Sequence, residues 1–457
     1  MQVKQILQSG KKLLKPITLL TIICWPIILN YIFPEYLSKR LPSLIDILPG
    51  IGAFYILEKI RCPYSRLLGY FWLLWYFVGA VNTVASGIVL GEYYGNFDLH
   101  EASQIYFWGC VFYFFGMLVY EKLFSKNKYE IYSSETPSLD ISFICRLFLL
   151  VFPFAWLASM YVSLGYIPIL RGENITDEIY QLKYGVLYPY GALIVISIVY
   201  SVYKVMVAQS MKDKVLYLIF AVCFILMSTA DGKRAFSMAA VGATIALSFK
   251  VNKAKTWTST IPKVFYLVIV LYVGIQLIRS GDSTAGISDF YFKMTLIGVE
   301  FRDFVYTVNY YIPGEIPNYA WATSAVASVV NGAILKVFDL DKTSLVNLDS
   351  ANAWAALRGS DFGIRTGIVS ELWFAYGVFA MPVLFVSGLV TGSLVKRIRT
   401  TKSVMGLIFL TGIYGLLLLN VTGQSTFTFG VLPVFLYFYT AMFIMNYLVK
   451  SKRITYS

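Results

Sequence analysis

Residues 367–395 read GIVSELWFAYGVFAMPVLFVSGLVTGSLV, and this run decides the fold. It holds a single charged residue, Glu371, between Arg365 just before it and Lys396 just after it. A helix needs roughly 20 apolar residues to cross a bilayer, so the run is long enough. A carboxylate at the head of such a segment is costly, and membranes keep such groups mostly where they serve a function.

The rest of the chain has the same character. Of its 457 residues, 58% are hydrophobic and 14% charged, with mean hydropathy +0.67. A soluble domain carries about a quarter charged residues, so the composition predicts a polytopic all-α membrane protein. The 35 tyrosines and 34 phenylalanines suit aromatic belts at the two interfaces. Apolar runs at 16–33, 43–57, 67–90, 104–120, 141–165, 185–203, 215–230, 234–249, 264–279, 367–395, 403–420 and 427–448 predict about twelve transmembrane helices. The basic N-terminal stretch lacks a small-residue cleavage site after its first apolar run, which reads as a retained anchor.

Charge asymmetry orients the chain. With the N-terminus inside, the inner segments 1–15, 58–66, 121–140, 204–214, 250–263, 396–402 and 449–457 carry 24 of the 38 Lys and Arg residues. Eighteen of the 25 acidic residues fall outside. This positive-inside pattern predicts that both termini are cytoplasmic. It also explains the net charge of +13 as topology, which removes nucleic acid as a partner. Cys24, Cys62, Cys110, Cys145 and Cys223 lie in apolar runs or a short inner loop, so no disulfide framework is expected. There is no Cys/His cluster at metal-ligand spacing, and the lone histidine, His100, reads as a solvated loop residue. Neither metal nor cofactor is expected.

The organisation is one integral membrane domain over 1–457, with a large outer-face loop region at 280–366 between the ninth and tenth spans. Connections between packed helices usually take two to eight residues, and longer ones tend to be functional. Within that loop, 319–337 reads as an outer-face or re-entrant helix. Counting it as a crossing would put the basic loop 396–402 on the wrong side.

Four separated segments each bring an arginine to the outer face. GYIPILRGENITDE supplies Arg171, DGKRAF supplies Arg234, GVEFRDFVYTVNYY supplies Arg302, and ALRGSDFGIRTGIVSELW supplies Arg365 ahead of Glu371. The planar guanidinium pairs two parallel hydrogen bonds with phosphate and stays charged, so converging arginines suit a lipid-linked diphosphate. Tyr310 and Tyr311 could pack against sugar rings, and Glu371 could take a proton from a hydroxyl. Plainer readings compete at each position. Asp231 could cap its helix while Arg234 snorkels, Asp361 and Arg365 sit at helix-pair spacing, and outer-loop aromatics commonly belong to the interface belt. Gly388 and Gly392 read as close helix packing.

At these residues the chain resembles the Wzy-type oligosaccharide repeat-unit polymerases, the O-antigen polymerase family. GYIPIL before Arg171 is similar to that family's Gly-x-Pro-hydrophobic segment ahead of an outer-face arginine. DGKRAF is similar to its small-residue-plus-arginine step opening a membrane helix. GIRTGIVSELWFAYG is similar to its glycine turn leading to Glu, an aromatic and Gly at the head of a late helix. The order of the motifs and the long outer loop agree over residues 160–395.

The resemblance implies a metal-independent membrane glycosyltransferase without cofactors in the bacterial inner membrane. Its donor and acceptor are oligosaccharides on undecaprenyl diphosphate, joined at the periplasmic face into O-antigen or a similar surface polysaccharide. It implies that Arg171, Arg234 and Arg365 hold diphosphate or acceptor groups and that Glu371 orients the site or acts as base. Arg302 rests on the electrostatic argument alone. The resemblance leaves room for a chain-length regulator protein as partner. A related O-antigen ligase-like enzyme and a lipid-linked oligosaccharide flippase or other transporter remain as alternatives, as does a scaffold. The family's ligases are described with a histidine in the large outer loop, and 280–366 has none.

Overall fold

A computed structural model of the chain describes residues 44–90, 98–124, 141–171, 187, 190–231, 235–251, 299–312, 314–330, 332–346, 366–421 and 425–454. The helices are α1 Leu44–Lys59, α2 Pro63–Leu90, α3 His100–Phe124, α4 Phe143–Leu164, α5 Leu193–Val207, α6 Met211–Met227, α7 Ala235–Val251, α8 Val299–Tyr310, α9 Ala320–Val329, α10 Gly332–Val337, α11 Lys342–Val346, α12 Gly367–Tyr376, α13 Ala380–Thr400, α14 Val404–Leu419 and α15 Ser425–Ile454. Short 3-10 turns occupy Pro168–Arg171 and Gly377–Phe379. No strand occurs among the described residues. The apolar runs at 16–33 and 264–279 lie outside these residues, and each of the others overlaps helix, with 367–395 divided between α12 and α13.

Among the described residues, four segments are long and apolar enough to cross a membrane: His100–Phe124, Phe143–Leu164, Gly367–Thr400 and Thr428–Tyr447. Their outward faces are apolar too. Phe143, Leu147, Val151, Phe154 and Val162 are exposed along α4, and Val386 and Val390 along α13. Contiguous apolar surface of this kind is rare on a soluble protein and normal against lipid. The chain is a helical membrane protein.

The helices fall into two compact units. The first takes Met1–Ile131, Gly286–Val395 and Asn420–Phe429, and the second takes Tyr132–Ala285, Lys396–Leu419 and Gly430–Ser457. In the first, α1 packs on α3, and both ends of the group are closed by polar side chains. At one end the Glu121 carboxylate accepts backbone N–H groups from Arg61 at 2.9 Å and Cys62 at 3.1 Å. It thereby satisfies donors at the start of α2 that no helical partner can reach. At the other end, Asp46 is 3% exposed and takes hydrogen bonds from His100 Nδ1 and Gln104 Nε2. The expectation that His100 is a solvated loop residue is therefore corrected. The Asp98 carboxylate accepts the His100 N–H at 2.8 Å and turns the chain into α3, so His100 opens a helix facing buried Asp46.

Between these ends lies an aromatic core. Trp72 and Tyr113 stack at 4.4 Å, and Tyr76 bonds Ser103 at 2.7 Å. The helix α8 inserts into it, burying Phe301, Phe304, Val305 and Val308 at helical i, i+3, i+4, i+7 spacing. Its far end is tied back to α3 by a reciprocal pair, Asp98 N–H to Asn309 Oδ1 at 2.9 Å and Asn309 Nδ2 to Asp98 O at 2.8 Å. The helices α3 and α13 cross at glycines. A Cβ on Gly388 would stand 2.1 Å from the Tyr113 carbonyl oxygen and 3.1 Å from Gly116 Cα. Only hydrogen fits there, as small-residue membrane interfaces require, and the close packing read from Gly388 and Gly392 follows.

In the second unit, α5 is buried on every side from Leu193 to Tyr200, as befits a helix apolar all round. It is surrounded by α4, α6, α7 and α14. Here α7 and α14 meet closely, with a Cβ on Gly415 falling 2.1 Å from the Ala239 carbonyl oxygen. Lys250, 3% exposed at the end of α7, donates to the carbonyl of Arg399 near the C-terminus of α13, where a cation is favoured. Cys62, Cys110, Cys145 and Cys223 are free thiols.

Candidate functional site

The run 367–395 is interrupted, against the expectation of one continuous span. The first piece, α12, ends where the Gly377 N–H bonds Trp373 O; Gly377 sits at φ 55° and ψ −130°, open to glycine and strained for other residues. A 3-10 turn follows before α13 begins. Nothing polar marks this break, because the flanking residues are as apolar as any helix interior.

The head of α12 meets a second break. Chain 420–421 leaves α14 and re-enters helix at Ser425. The Ile368 N–H donates to Asn420 O at 2.8 Å, so the turn at 420–421 satisfies a first-turn donor of α12. Gly367 has φ +75°, and a Cβ there would lie 2.4 Å from the Val421 carbonyl oxygen. Thr428, at the start of α15, bonds Asn420 Oδ1, and both are buried.

On this framework Glu371 is 0% exposed, in the second turn of α12. Gly367, Ser370 and Glu371 share one helix face through their i, i+3, i+4 spacing. The Ser370 and Thr366 side chains are buried with it, at 0% and 6% exposure. Their hydroxyl oxygens have no hydrogen-bond partner among the described residues.

The other sequence-derived residues sort by unit. In the first unit Arg302 lies on α8, largely buried, with its guanidinium 3.4 Å from the adjacent Asp303. Tyr310 is half exposed and its ring packs on Tyr306 at 4.8 Å. The Tyr311 ring packs at a tilt 4.8 Å from Phe374, and its hydroxyl donates to the Phe374 carbonyl at 3.1 Å. It thus ties the end of α8 to the helix that carries Glu371. Arg365 lies outside the described residues.

In the second unit Arg171 is exposed, with its guanidinium over the Tyr166 ring at 4.1 Å. The Ile169 N–H bonds Ala230 O at 3.1 Å, which joins the Arg171 segment to the turn holding fully buried Asp231. Two motifs more than fifty residues apart are thereby brought together. Arg234, three residues beyond Asp231, lies outside the described residues, as do Arg358 and Asp361.

Among the described residues no group of three or more His, Cys, Asp or Glu side chains stands together as a metal site. Sequence reasoning missed Thr366, Ser370, Asn420 and Thr428, which carry no charge to draw notice. The signal for Asn420 was its place in LLLLNVTG, a polar residue with a glycine after it ending an apolar run.

No protein-family model, curated protein or solved structure matches the chain. Function must therefore be argued from the site. The head of α12 thus brings a buried carboxyl group and two buried hydroxyls together in one turn of a membrane helix.

Proposed function

We propose that the chain is a multi-pass glycosyltransferase of the bacterial inner membrane, crossing twelve times with both termini cytoplasmic. It joins oligosaccharide repeat units carried on undecaprenyl diphosphate into a surface polysaccharide at the periplasmic face. The observation that carries this reading is Glu371: a carboxyl group 0% exposed near the head of a membrane helix whose first residues meet the turn at 420–421. Such burial of an ionisable group in a membrane marks a working site.

In the proposed reaction an acceptor hydroxyl oxygen attacks the anomeric carbon of the donor sugar. The bond from that carbon to the diphosphate oxygen breaks, and its electron pair leaves with undecaprenyl diphosphate. The hydroxyl proton passes to Glu371. Arg365, Arg234 and Arg171 meet the charge that develops on the diphosphate, the fixed electrostatic stabilisation that dominates many enzymes. Arg302 contributes to the same field, and Tyr310 lines the sugar path.

The test is direct. Purified protein given a lipid-diphosphate-linked repeat unit should yield a ladder of longer glycans. Glu371→Gln should lower elongation by about 10²–10⁴-fold, the usual worth of a general base, while remaining folded. Absence of any ladder with authentic substrate would remove the reading.

A second reading is favoured by the interruptions at Gly377 and at Asn420–Val421, because carriers commonly build their sites from interrupted helices. It is a transporter of the same lipid-linked sugar. Proteoliposomes decide between them: translocation without elongation selects the carrier, and elongation without translocation selects the enzyme.

A further inference from the structure

The segment 319–346 is folded inside out. In α9 the residues Ala320, Ser324, Ala327 and Ser328 are buried, while Tyr319, Val326 and Val329 are exposed on the opposite face. In α10 Leu335 is buried, and Ile334, Val337 and Phe338 are exposed, the last two at 78% and 69%. A helix standing in water turns its apolar stripe inward and its polar side chains outward. Here the hydroxyls are inside and the large apolar side chains are outside.

The polar groups of the segment are answered from within it. Ser324 Oγ donates to Val346 O at 2.6 Å, and Ser328 Oγ donates to Ser324 O at 2.8 Å. The Lys342 ammonium donates to Ser328 O at 3.3 Å and Val330 O at 2.8 Å, meeting carbonyls at the end of α9 that lack helical partners. The helix α10 closes with Asp339 at φ 55°, where the Leu340 N–H bonds Leu335 O and the Asp339 N–H bonds Lys336 O. Asp341 accepts the Ser344 N–H at 2.8 Å and so opens α11. Membranes tolerate broken helices only where the freed backbone groups are satisfied by protein, and this segment meets that condition.

The segment also continues a surface that faces lipid. Trp321 packs edge-on against Tyr376 at 6.1 Å and Phe429 at 5.7 Å. Tyr376 is the last residue of α12, and beyond it Val378 and Phe379 are exposed, followed along α13 by exposed Val386 and Val390. The exposed charges Lys336, Asp339 and Asp341 gather around the turn from α10 to α11, which Lys342 ties to the end of α9.

We propose that 319–346 is an interfacial lipid-binding element of the protein. Tyr319, Val326, Val329, Ile334, Val337 and Phe338 enter the acyl-chain region of one leaflet, while the charged turn stays among the headgroups. Amphipathic segments of this kind sink about 5–10 Å below the headgroup boundary. Under the topology proposed above the leaflet is the outer one. Because α9 packs on α12, bilayer lipid is brought to the flank of the helix that carries Glu371. The element is independent of the reaction assigned to that residue.

The experiment places nitroxide labels on full-length protein in phosphatidylcholine–phosphatidylglycerol vesicles. Cys24, Cys62, Cys110, Cys145 and Cys223 are replaced by alanine, and single labels are introduced through Val326→Cys and Val337→Cys. Val390→Cys on α13 is the lipid-facing control and Lys212→Cys, exposed at the start of α6, the aqueous one. Collisions with oxygen, which concentrates in lipid, are compared with collisions with a water-soluble nickel chelate. The oxygen-to-nickel ratio should exceed unity at Val326, Val337 and Val390 and fall below unity at Lys212. A second measurement keeps the native cysteines: the fluorescence that Phe338→Trp adds to the parent should be quenched by lipids brominated on their acyl chains more strongly than by iodide in the water.

Nickel collisions dominating at Val326 and Val337 would put the ridge in water and overturn the proposal. Few collisions with either probe would also overturn it, since the ridge would then be covered by protein, a second copy of the chain included. The same holds if iodide quenches the added tryptophan and brominated lipid does not.

Discussion

Gly367→Ala should be far more damaging than its size implies, and Gly165→Ala supplies the matched comparison. The two glycines have nearly the same φ, +75° and +76°. A left-handed residue with a Cβ costs about 1–2 kcal/mol, and that cost applies equally at both. The surroundings differ. Around Gly165 a new Cβ meets nothing within 4 Å, whereas at Gly367 it lands 2.4 Å from Val421 O and 3.1 Å from Val421 C. Those are backbone atoms, which cannot rotate aside, so α12 must move off the α14–α15 break by about an ångström. That movement breaks the Ile368–Asn420 bond, worth about 1 kcal/mol, and opens the packing around it, for an additional loss of about 2–3 kcal/mol. Thermal unfolding of both variants in the same detergent, by fluorescence-detected size exclusion, measures the difference. Gly165→Ala should melt slightly below the parent and Gly367→Ala well below it. Equal shifts would mean that the two helix ends are not held against each other, and the account of the site would fail with them.

Other expectations follow from single side chains. Gly388→Ala places a methyl 2.1 Å from the Tyr113 carbonyl and should part α3 from α13, lowering the melting temperature far more than Val386→Ala on the exposed face. Asp46→Ala strips the acceptor from His100 and Gln104 and should cost about 1–3 kcal/mol, read as a lower melting temperature that Asp46→Asn partly restores. Lys342, whose ammonium donates to Ser328 O at 3.3 Å and Val330 O at 2.8 Å, is held by burial below its ordinary value of 10.5. Its folded form therefore gives up the proton first, so the unfolded chain binds more protons and stability rises with pH between the folded value and 10.5. Compared with Lys342→Met, the parent should gain stability across that alkaline window and show no relative change below it.

The helices were legible because burial in lipid leaves a simple record, uncharged runs of the right length. The interruptions were not. Gly377 sits among residues as apolar as the helix on either side, and only its backbone angles distinguish it from Gly388, a packing glycine. The helix α8 was hidden for the opposite reason. Its Arg302 and Asp303 read as loop, while Phe301, Phe304, Val305 and Val308 form a buried stripe on the other side. The single charge in the 367–395 run pointed to Glu371, since a lone carboxylate in such a stretch is conspicuous. Thr366 and Ser370 gave no such signal, because membrane helices carry many uncharged hydroxyls. His100 was misread because its partner Asp46 is more than fifty residues away, on another helix.

The turn at Gly377 also bears on how the molecule meets bilayers of different thickness. At 1.5 Å per residue, the 16 uncharged residues 380–395 of α13 span about 24 Å, short of the hydrocarbon depth of a typical membrane, so part of the preceding ten-residue helix completes the crossing. When lipids of another chain length force α13 to lean, the bend can absorb the change of angle while the carboxylate keeps its bearing. Activity in short-chain and long-chain nanodiscs should accordingly stay level, and a substitution that straightens this corner should make it depend on acyl length.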